Sequence, residues 1–389
     1  MIPLQEAEKQ IAAVHVFPET EQVPLGRCCG RVLAEPVISP LNMPPFNKSA
    51  MDGYAINSKD TSGKYTIIEV IPAGKVPEKT ISRGTCAKIM TGAMVPKGAD
   101  RVVIKEVVKE EKGEMTITGQ DPHTNICLKG EDVKKGDIVL GPGTIIRPQE
   151  TGVIASMGNA EVTVYKAPVV GIIATGSELV MPGKNLGEGQ IYNSNSFSLA
   201  AQAAGCGAGV VTHGLAVDTE KDITQAVASL ETSCDMILLS GGVSMGDYDF
   251  VPGVLRNMGV TILFEKIAVK PGKPTLFGTK GKTFFFGVPG NPVSTFVIFE
   301  ILIKPLLYRM MGHCYSPRII QGVLQTAVKR KRVKRSSFMP VRYYHNKVTV
   351  LEYHGSAHIN ALTEANGLIT IPRGTHEIPA QRIVDVRMI

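Results

Sequence analysis

The chain has 389 residues, 43% of them hydrophobic, and a formal net charge of +7. This length exceeds one ordinary hydrophobic core, so we expect about two to four domains. A membrane protein is excluded because no stretch approaches about 18 uncharged apolar residues, and nucleic-acid binding is disfavoured because six basic residues are confined to the run 329–335, without interleaved aromatic residues.

Cysteine usage and the first residues indicate the compartment. The seven cysteines form no C-x-x-C pair, and the N-terminal residues contain acids and no apolar leader segment. We therefore expect reduced thiols and a cytoplasmic protein.

The first half of the chain contains two kinds of sequence pattern. Residues 1–43 begin with a helical pattern and then become extended, and residues 141–167 combine a helix-compatible segment with a strand-like one. These two stretches predict one discontinuous connecting domain. Between them, residues 44–140 are rich in β-branched residues and glycine turns, which predicts a β-rich inserted domain.

The second half changes from an α/β pattern to a β pattern. Residues 168–314 alternate strands with helices, which predicts a three-layer α/β/α domain with a parallel sheet. The predicted strands are 169–174, 208–212, 235–239, 260–264 and 283–288, and the predicted helices lie near 195–205, 219–232, 249–258 and 291–311. Residues 315–389 return to short alternating segments, typical of a small β-barrel or sandwich.

A glycine-rich loop follows the strand that ends near Leu239. In this loop Gly241 and Gly242 would let the backbone approach a ligand closely, with Ser240 and Ser244 as hydroxyl donors. A tight turn between strand and helix is the alternative. The chain lacks both the P-loop and the G-x-G-x-x-G fingerprint, so we expect a different kind of anion-binding loop.

Acidic side chains follow several of the same strands. Because the carboxyl ends of parallel strands share one edge of a sheet, Glu178, Asp218, Asp247 and Asp249 should gather beside the glycine-rich loop. Carboxylates next to a phosphate predict a bridging Mg²⁺ ion. For Asp218 alone, a helix N-cap is the alternative.

Two further segments favour an anionic ligand. Lys266, Lys270 and Lys273 lie in a loop stiffened by prolines, where they could hold a multiply charged anion or be a solvated turn. In the second segment, Asn291 and Pro292 are suited to the N-cap and first position of a helix, whose free N–H groups could bind another oxyanion.

Eight motifs, in order along the whole chain, resemble one family. They are NKSAMDGYA (47–55), IMTGA (89–93), GED (130–132), TGSEL (175–179), SGGVSMGDYD (240–249), KPGKP (270–274), PGNPVS (289–294) and EANGL (364–368). Together they resemble the molybdopterin molybdenumtransferases of the MoeA type, which are similar to the E domain of gephyrin.

The resemblance implies an activity and an assembly. Such enzymes insert molybdate into adenylyl-molybdopterin with Mg²⁺, cleave the pyrophosphate, and release AMP and molybdenum cofactor. It also implies an elongated homodimer of four-domain subunits. Contacts with a molybdopterin adenylyltransferase and with molybdoenzymes stay open on the sequence, and the composition indicates no nucleic-acid or membrane partner.

Carried over by motif, the resemblance assigns roles to individual residues. Asp52, Thr91 and Asp132 would reach across the dimer, although Asp52 alone could equally cap an Asp-Gly turn. The pterin and metal site would contain Glu178, Asp218 and Asp249, and the catalytic lysines would be Lys266 and Lys270. Substrate would be bound by Ser240, Gly241, Gly242, Ser244, Lys273, Pro289, Asn291, Pro292, Ser294 and Ser356.

One position departs from the family pattern. The family often has Arg-x-x-Phe-x-Arg in its C-terminal domain, but here Arg335 and Phe338 are followed by Pro340. If the second arginine binds an oxyanion, then Arg342 or the basic run must replace it. Ser356 is the remaining candidate in that domain.

Two rival functions stay open on the sequence. The α/β domain also resembles molybdopterin adenylyltransferases, although the additional N- and C-terminal regions argue against that activity. A non-catalytic scaffold that retains the fold is the other rival, and the intact acidic cluster argues against it.

Overall fold

The computed structural model describes residues 1–243, 249–351 and 358–389. The predicted site residues Ser244, Asp247 and Ser356 therefore lie outside the described residues. Among the helices of the described ranges, none has the length and apolar character needed to cross a bilayer.

Two distant stretches of the chain form the connecting unit. Thr20–Pro24 pairs antiparallel with Glu161–Tyr165, and Val37–Ile38 pairs with Ile138–Leu140. Helix Pro148–Ser156 packs on these strands through a shared apolar cluster that includes the fully buried Ile154. A 3₁₀ turn, Leu25–Arg27, completes the unit. The predicted insertion of a β-rich unit into a discontinuous one is confirmed, while the residue boundaries stay a prediction.

The N-terminal helix Leu4–Ala13 packs elsewhere. Its buried residues Leu4, Ala7 and Ile11 belong to the apolar cluster of the α/β unit. Their spacing of three and four residues places them on one face of the helix, which explains this packing.

A six-stranded sheet forms the β-rich unit. Its strands, in spatial order, are Arg101–Ile104, Gly53–Ile56, Thr85–Ile89, Lys64–Ile71, Glu114–Ile117 and Val108–Glu111. Alternate residues enter separate clusters on the two faces, so that Ala55 packs on one face and Tyr54 on the other. A short ladder of Lys48–Ser49 with Ile126–Cys127 and a 3₁₀ turn, Lys105–Val107, lie beside the sheet.

The α/β unit is built on a second six-stranded sheet. Its strands, in spatial order, are Gly209–Ala216, Val169–Thr175, Met236–Ser240, Thr283–Val288, Leu276–Lys280 and Thr261–Phe264. The first four run parallel, whereas Leu276–Lys280 is antiparallel to both of its neighbours. A short parallel pair, Leu179–Val180 with Ile191–Tyr192, lies outside this sheet.

Helices cover both faces of this sheet. Asn195–Gly205 packs on one face, together with a helix that runs as Pro292–Ile298, a π-helical Phe299–Ile303 and Lys304–Met310. Glu220–Glu231 and Val251–Asn257 pack on the other. Ile172 and Ile173 enter opposite clusters because successive strand residues point to opposite faces. The predicted three-layer α/β/α unit is confirmed, but the prediction of a parallel sheet is wrong, because Leu276–Lys280 makes the sheet mixed.

The C-terminal unit is a closed five-stranded barrel. Its strands, in order around the barrel, are Ser336–Tyr344, Lys347–Val350, Ile319–Leu324, Ile383–Met388 and Gly367–Ile371, and the last pairs with the first. Val269–Lys270 of the α/β unit adds a sixth strand beside Ser336–Tyr344. A ladder of Val328–Lys329 with Glu377–Ile378 and a 3₁₀ turn, Ile359–Leu362, complete the unit. Of the two architectures that the sequence allowed, the barrel is present.

Candidate active site at the edge of the α/β sheet

A cavity of ≈ 630 Å³ opens at the carboxyl ends of the parallel strands. This volume is in the usual range for a small-molecule site. Nine of the predicted site residues line it: Glu178, Asp218, Ser240, Gly241, Gly242, Asp249, Pro289, Asn291 and Pro292. The expected gathering of the glycine-rich loop, the acids and the last helix start is therefore present within the described residues.

The glycine-rich loop requires its glycines. Gly241 has φ +99°, and a Cβ there would lie 2.4 Å from the backbone oxygen of Thr175. Gly242 has φ +62°, and its Cβ would meet Thr175 Oγ1 at 2.9 Å. Both positions combine a left-handed backbone with close contact to the neighbouring strand, so a side chain would push the loop away from the sheet. The loop is therefore held at the edge of the cavity.

Asp218 is the most constrained of the three acids. Its Oδ2 accepts a hydrogen bond from the Ser177 N–H at 3.2 Å, whereas its buried Oδ1 has no partner within the described residues. Burial raises the pKa of Asp218 above its ordinary value, and the nearby charges of Glu178 and Asp249 add to the increase. The N-cap alternative is wrong, because Thr219 caps the following helix and its hydroxyl accepts from the Asp222 N–H at 3.1 Å.

The carboxylates of Glu178, Asp218 and Asp249 are suitable ligands for Mg²⁺, but they do not form a complete coordination shell. No group of three His, Cys, Asp or Glu side chains stands close enough to hold a metal among the residues that the structure describes. Mg²⁺ commonly needs only one or two carboxylates, because waters and substrate phosphates supply its other ligands. Asp218, whose buried Oδ1 lacks a hydrogen bond of ordinary length among the described residues, lines the cavity together with Glu178 and Asp249 and suits such a site.

The last helix begins as the sequence predicts. Asn291 is its N-cap residue and Pro292 its first residue, so the N–H groups of the first turn lie at the cavity. The Asn291 side chain makes no capping hydrogen bond. Ser294, the third residue of the helix, is buried and does not line the cavity. The helix thus presents backbone donors and not the predicted serine.

The three predicted lysines lie on a segment clamped between two other parts of the chain. Near the N-terminus, Ile2 donates its N–H to the Lys266 oxygen at 2.9 Å and accepts from the Ala268 N–H at 2.8 Å. On the other side, Ser336 of the barrel donates to the Ala268 oxygen at 2.9 Å. The backbone of the segment is therefore fixed, although none of the three lysines lines the ≈ 630 Å³ cavity.

Lys270 instead faces a second cavity, shared with the basic run. This cavity of ≈ 420 Å³ is lined by Lys270, Lys329, Arg330, Lys331, Arg332, Ser337 and Met339. Arg330 uses its guanidinium to bind Ser337 Oγ and the backbone oxygens of Arg335, Pro372 and Thr375. Burial lowers the pKa of Arg330, whose positive charge is not matched by a carboxylate among these contacts.

Arg342 lies on a different face of the barrel. It pairs with Glu364 at 3.4 Å and lines a separate cavity with Tyr343, Tyr344 and Lys347. Of the two replacements considered for the arginine missing at Pro340, this geometry favours the basic run, because only the basic run meets Lys270.

Of the residues predicted to act across a dimer, Asp52 and Thr91 contact each other in the β-rich unit. Asp52 Oδ1 accepts from both the N–H and the hydroxyl of Thr91 at 2.8 Å, and Lys105 Nζ lies 3.5 Å from Oδ2. The Thr91 hydrogen bonds lower the pKa of Asp52, with a smaller contribution from Lys105. Asp132 is exposed. None of these residues lines the ≈ 630 Å³ cavity of its own chain.

Sequence reasoning missed five polar residues of the cavity: Thr175, Tyr192, Asn193, Ser194 and Asn195. Asn195 and Thr175 both line it, and each has a buried oxygen without a partner in the described part of the chain. The sequence offered one signal for Asn195, since Asn193, Ser194 and Asn195 directly follow the short strand Ile191–Tyr192 and open a helix.

Three family models match the chain in succession. The model described as MoeA N-terminal region (domain I and II) matches residues 2–158. The model described as probable molybdopterin binding domain matches residues 171–309. The model described as MoeA C-terminal region (domain IV) matches residues 321–388.

Similar proteins match over nearly their full length. The molybdopterin molybdenumtransferase of Haemophilus influenzae is 35% identical over 397 residues, covering 99% of this chain and 98% of that protein. The protein of the same name from Bacillus subtilis is 33% identical, covering 100% and 94%. A crystal structure of the molybdopterin biosynthesis moeA protein from Pyrococcus horikoshii OT3 superposes with a TM-score of 0.87 at 31% identity and covers 100% of both chains.

Proposed function

The chain belongs to the molybdopterin molybdenumtransferase family, and we propose that it catalyses the metal-insertion step of molybdenum cofactor synthesis. In this reaction molybdate enters adenylyl-molybdopterin, the pyrophosphate is cleaved, and AMP and molybdenum cofactor are released. The observation that carries the proposal is the convergence of the glycine-rich loop, a helix N-terminus and three carboxylates on one cavity. The proposed reaction needs hydrogen-bond donors to phosphate and carboxylates for a metal ion at one place.

The residues divide into two tasks. Backbone N–H groups at Gly242 and the start of helix Pro292–Ile298 would bind phosphate oxygens, because helix N-termini and glycine loops favour anions. One or two carboxylates among Glu178, Asp218 and Asp249 would hold Mg²⁺ together with those oxygens and water. When bound, the ion supplies charge neutralisation at the pyrophosphate.

Cationic residues would bind the second substrate, molybdate. Lys266, Lys270 and Lys273 are proposed to hold molybdate or phosphate, with the basic run beside Lys270 contributing a positive field. Arg330 supports this role because its guanidinium is held in place by neutral acceptors. No carboxylate among these contacts neutralises its positive charge.

The β-rich unit would contribute residues to the active site of the other subunit. We propose a homodimer in which Asp52, Thr91 and Asp132 complete the partner's cavity, since they lie outside the cavity of their own chain. The division into units 1–43 with 141–167, 44–140, 168–314 and 315–389 is part of the same proposal, as are a cytoplasmic location and contacts with a molybdopterin adenylyltransferase and molybdoenzymes.

AMP release from adenylyl-molybdopterin tests the proposal. We expect release that needs Mg²⁺, increases with molybdate, yields active cofactor, and falls by more than about tenfold in Asp249→Ala. Asp235→Asn is the control, because Asp235 lies at the amino end of strand Met236–Ser240, does not line the cavity, and accepts from the Val169 N–H at 2.7 Å. A wild type that binds the adenylylated pterin without releasing AMP would contradict the enzyme and favour a scaffold.

A further inference from the structure

The side chain of Asn195 joins the two loops that line the proposed phosphate site. Its Nδ2 lies 2.8 Å from Ser240 Oγ, at the start of the glycine-rich loop, and 2.8 Å from the backbone oxygen of Gly290, next to the last helix. Asn195 is the first residue of helix Asn195–Gly205 and itself lines the cavity. One amide thus connects three elements of the site.

The chemistry of these contacts fixes the direction of the Ser240 hydroxyl. A backbone carbonyl can only accept, so the amide nitrogen must face Gly290. The same nitrogen then donates to Ser240 Oγ, which leaves the hydroxyl hydrogen of Ser240 for another acceptor. Within the described residues Ser240 Oγ has no other hydrogen-bond partner, and Ser240 lines the cavity. An anionic oxygen in the cavity would be that acceptor.

The two loops have little freedom at this point. Gly241 donates its N–H to the Val288 oxygen at 3.1 Å, and a Cβ on Gly290 would lie 3.8 Å from Gly241 Cα. Asn195 bridges the loops beside this contact. Their spacing therefore depends on one strand-to-loop hydrogen bond and on the Asn195 amide.

We propose that Asn195 is a positioning residue of the reaction. It holds the glycine-rich loop at a fixed distance from the Gly290 loop and directs the Ser240 hydroxyl toward a phosphate oxygen of the adenylylated substrate. The inference rests on the proposed function, because it takes the cavity to be the phosphate site. Asn195 transfers no atom and acts through Ser240 and Gly290.

A double-mutant cycle with AMP as the probe tests this role. We expect Asn195→Ala and Ser240→Ala each to weaken AMP binding by about tenfold, and the double variant to bind about as weakly as either single variant. Asn195→Asp should bind more weakly than Asn195→Ala, because a carboxylate would accept the Ser240 hydrogen and turn it away from the ligand. Additive effects, or wild-type affinity in Asn195→Ala, would overturn the inference.

Two controls separate positioning from folding and from the proposed function. Asn57→Ala removes an asparagine that donates to the Gly98 oxygen at 3.0 Å in the β-rich unit, and it should bind AMP like the wild type. If Asn195→Ala does not fold, Asn195→Asp carries the test, since it preserves side-chain volume. A wild type that neither binds AMP nor releases it from the adenylylated substrate contradicts the proposed function. If the wild type does both and the Asn195 variants match it, the inference alone fails.

Discussion

Asp218 illustrates how a functional residue can reduce stability. Its raised pKa means that the folded protein binds this proton more tightly than the unfolded chain does, so ionisation of Asp218 disfavours the folded state. The penalty is absent below the unfolded pKa of about 3.9 and grows as the pH rises through the folded value. At neutral pH, ionisation of Asp218 therefore lowers the stability of the folded protein.

We expect Asp218→Asn to raise the thermal midpoint by about 1–3 °C at pH 8, because it removes the ionisation penalty, and to show no gain below about pH 3. AMP release should fall by more than about tenfold in the same variant. Thermal unfolding at both pH values, together with the AMP assay, checks the prediction. Added Mg²⁺ should stabilise the wild type and not the variant. A lower midpoint at pH 8 would contradict this account.

Gly241 tests whether the loop depends on its backbone conformation. Gly241→Ala places a methyl group 2.4 Å from the Thr175 oxygen at φ +99°, so we expect a loss of about 1–3 kcal/mol in unfolding free energy and weaker AMP binding. Gly253→Ala is the control, because that position lies in helix Val251–Asn257 with open space around it. The control should raise stability by up to about 1 kcal/mol. Denaturant unfolding distinguishes the two, and equal effects would contradict the prediction.

At the residue scale, position relative to the strands carried most of the information. Residues that directly follow strands, such as Asp218 and Gly241, were predicted to meet and do meet at one cavity. Asn195 was missed because it follows a two-residue strand outside the main sheet, which leaves no hydrophobic run to reveal it. Ser294 was carried over by motif, but helical rotation buries it.

At the element scale, the long buried strands and the helices could be predicted and the antiparallel strand Leu276–Lys280 could not. Strands Val169–Thr175 and Thr283–Val288 are continuous apolar runs, as expected for parallel strands buried on both faces. Leu276–Lys280 was missed because it contains Gly278 and ends in a lysine. It turns back through Gly281, at φ +57°, to pair with Thr283–Val288, so the sheet is mixed where a parallel one was expected.

The clamp on the lysine segment predicts an effect from a residue outside the cavities. Ile2→Pro removes the N–H that binds the Lys266 oxygen, so the segment should lose order and molybdate affinity should fall by about threefold to tenfold. Ile2→Val retains the backbone donor and should bind molybdate like the wild type. Calorimetric titration of both variants with molybdate measures the difference. Equal affinities would mean that the barrel alone positions the lysines.

At the scale of the whole molecule, the order of the units could be predicted from changes in the sequence pattern. The contacts between the units could not. The N-terminal helix could be predicted from the spacing of Leu4, Ala7 and Ile11, but its packing on the α/β unit depends on complementary surfaces that are far apart in sequence. The meeting of Lys270 with the basic run is a similar case, because it requires the barrel to dock beside Val269–Lys270. Such contacts depend on tertiary packing and leave no local pattern.

The separation of Asp52 from the cavity makes a prediction about assembly. If each active site combines Asp52 of one subunit with Asp218 of the other, Asp52→Ala and Asp218→Asn should each be inactive alone. After subunit exchange, an equal mixture should recover about a quarter of wild-type activity, because half of the dimers are mixed and each mixed dimer has one intact site.

The AMP-release assay measures recovery, and light scattering verifies that the exchanged species is a dimer. A mixture of Asp52→Ala with Asp52→Asn is the control and should recover nothing, since every site lacks the same carboxylate. If the exchanged Asp52→Ala and Asp218→Asn mixture also stays inactive, the two residues belong to the same subunit's site. The β-rich unit would then have to close over its own cavity, and the proposed dimeric active site would be wrong.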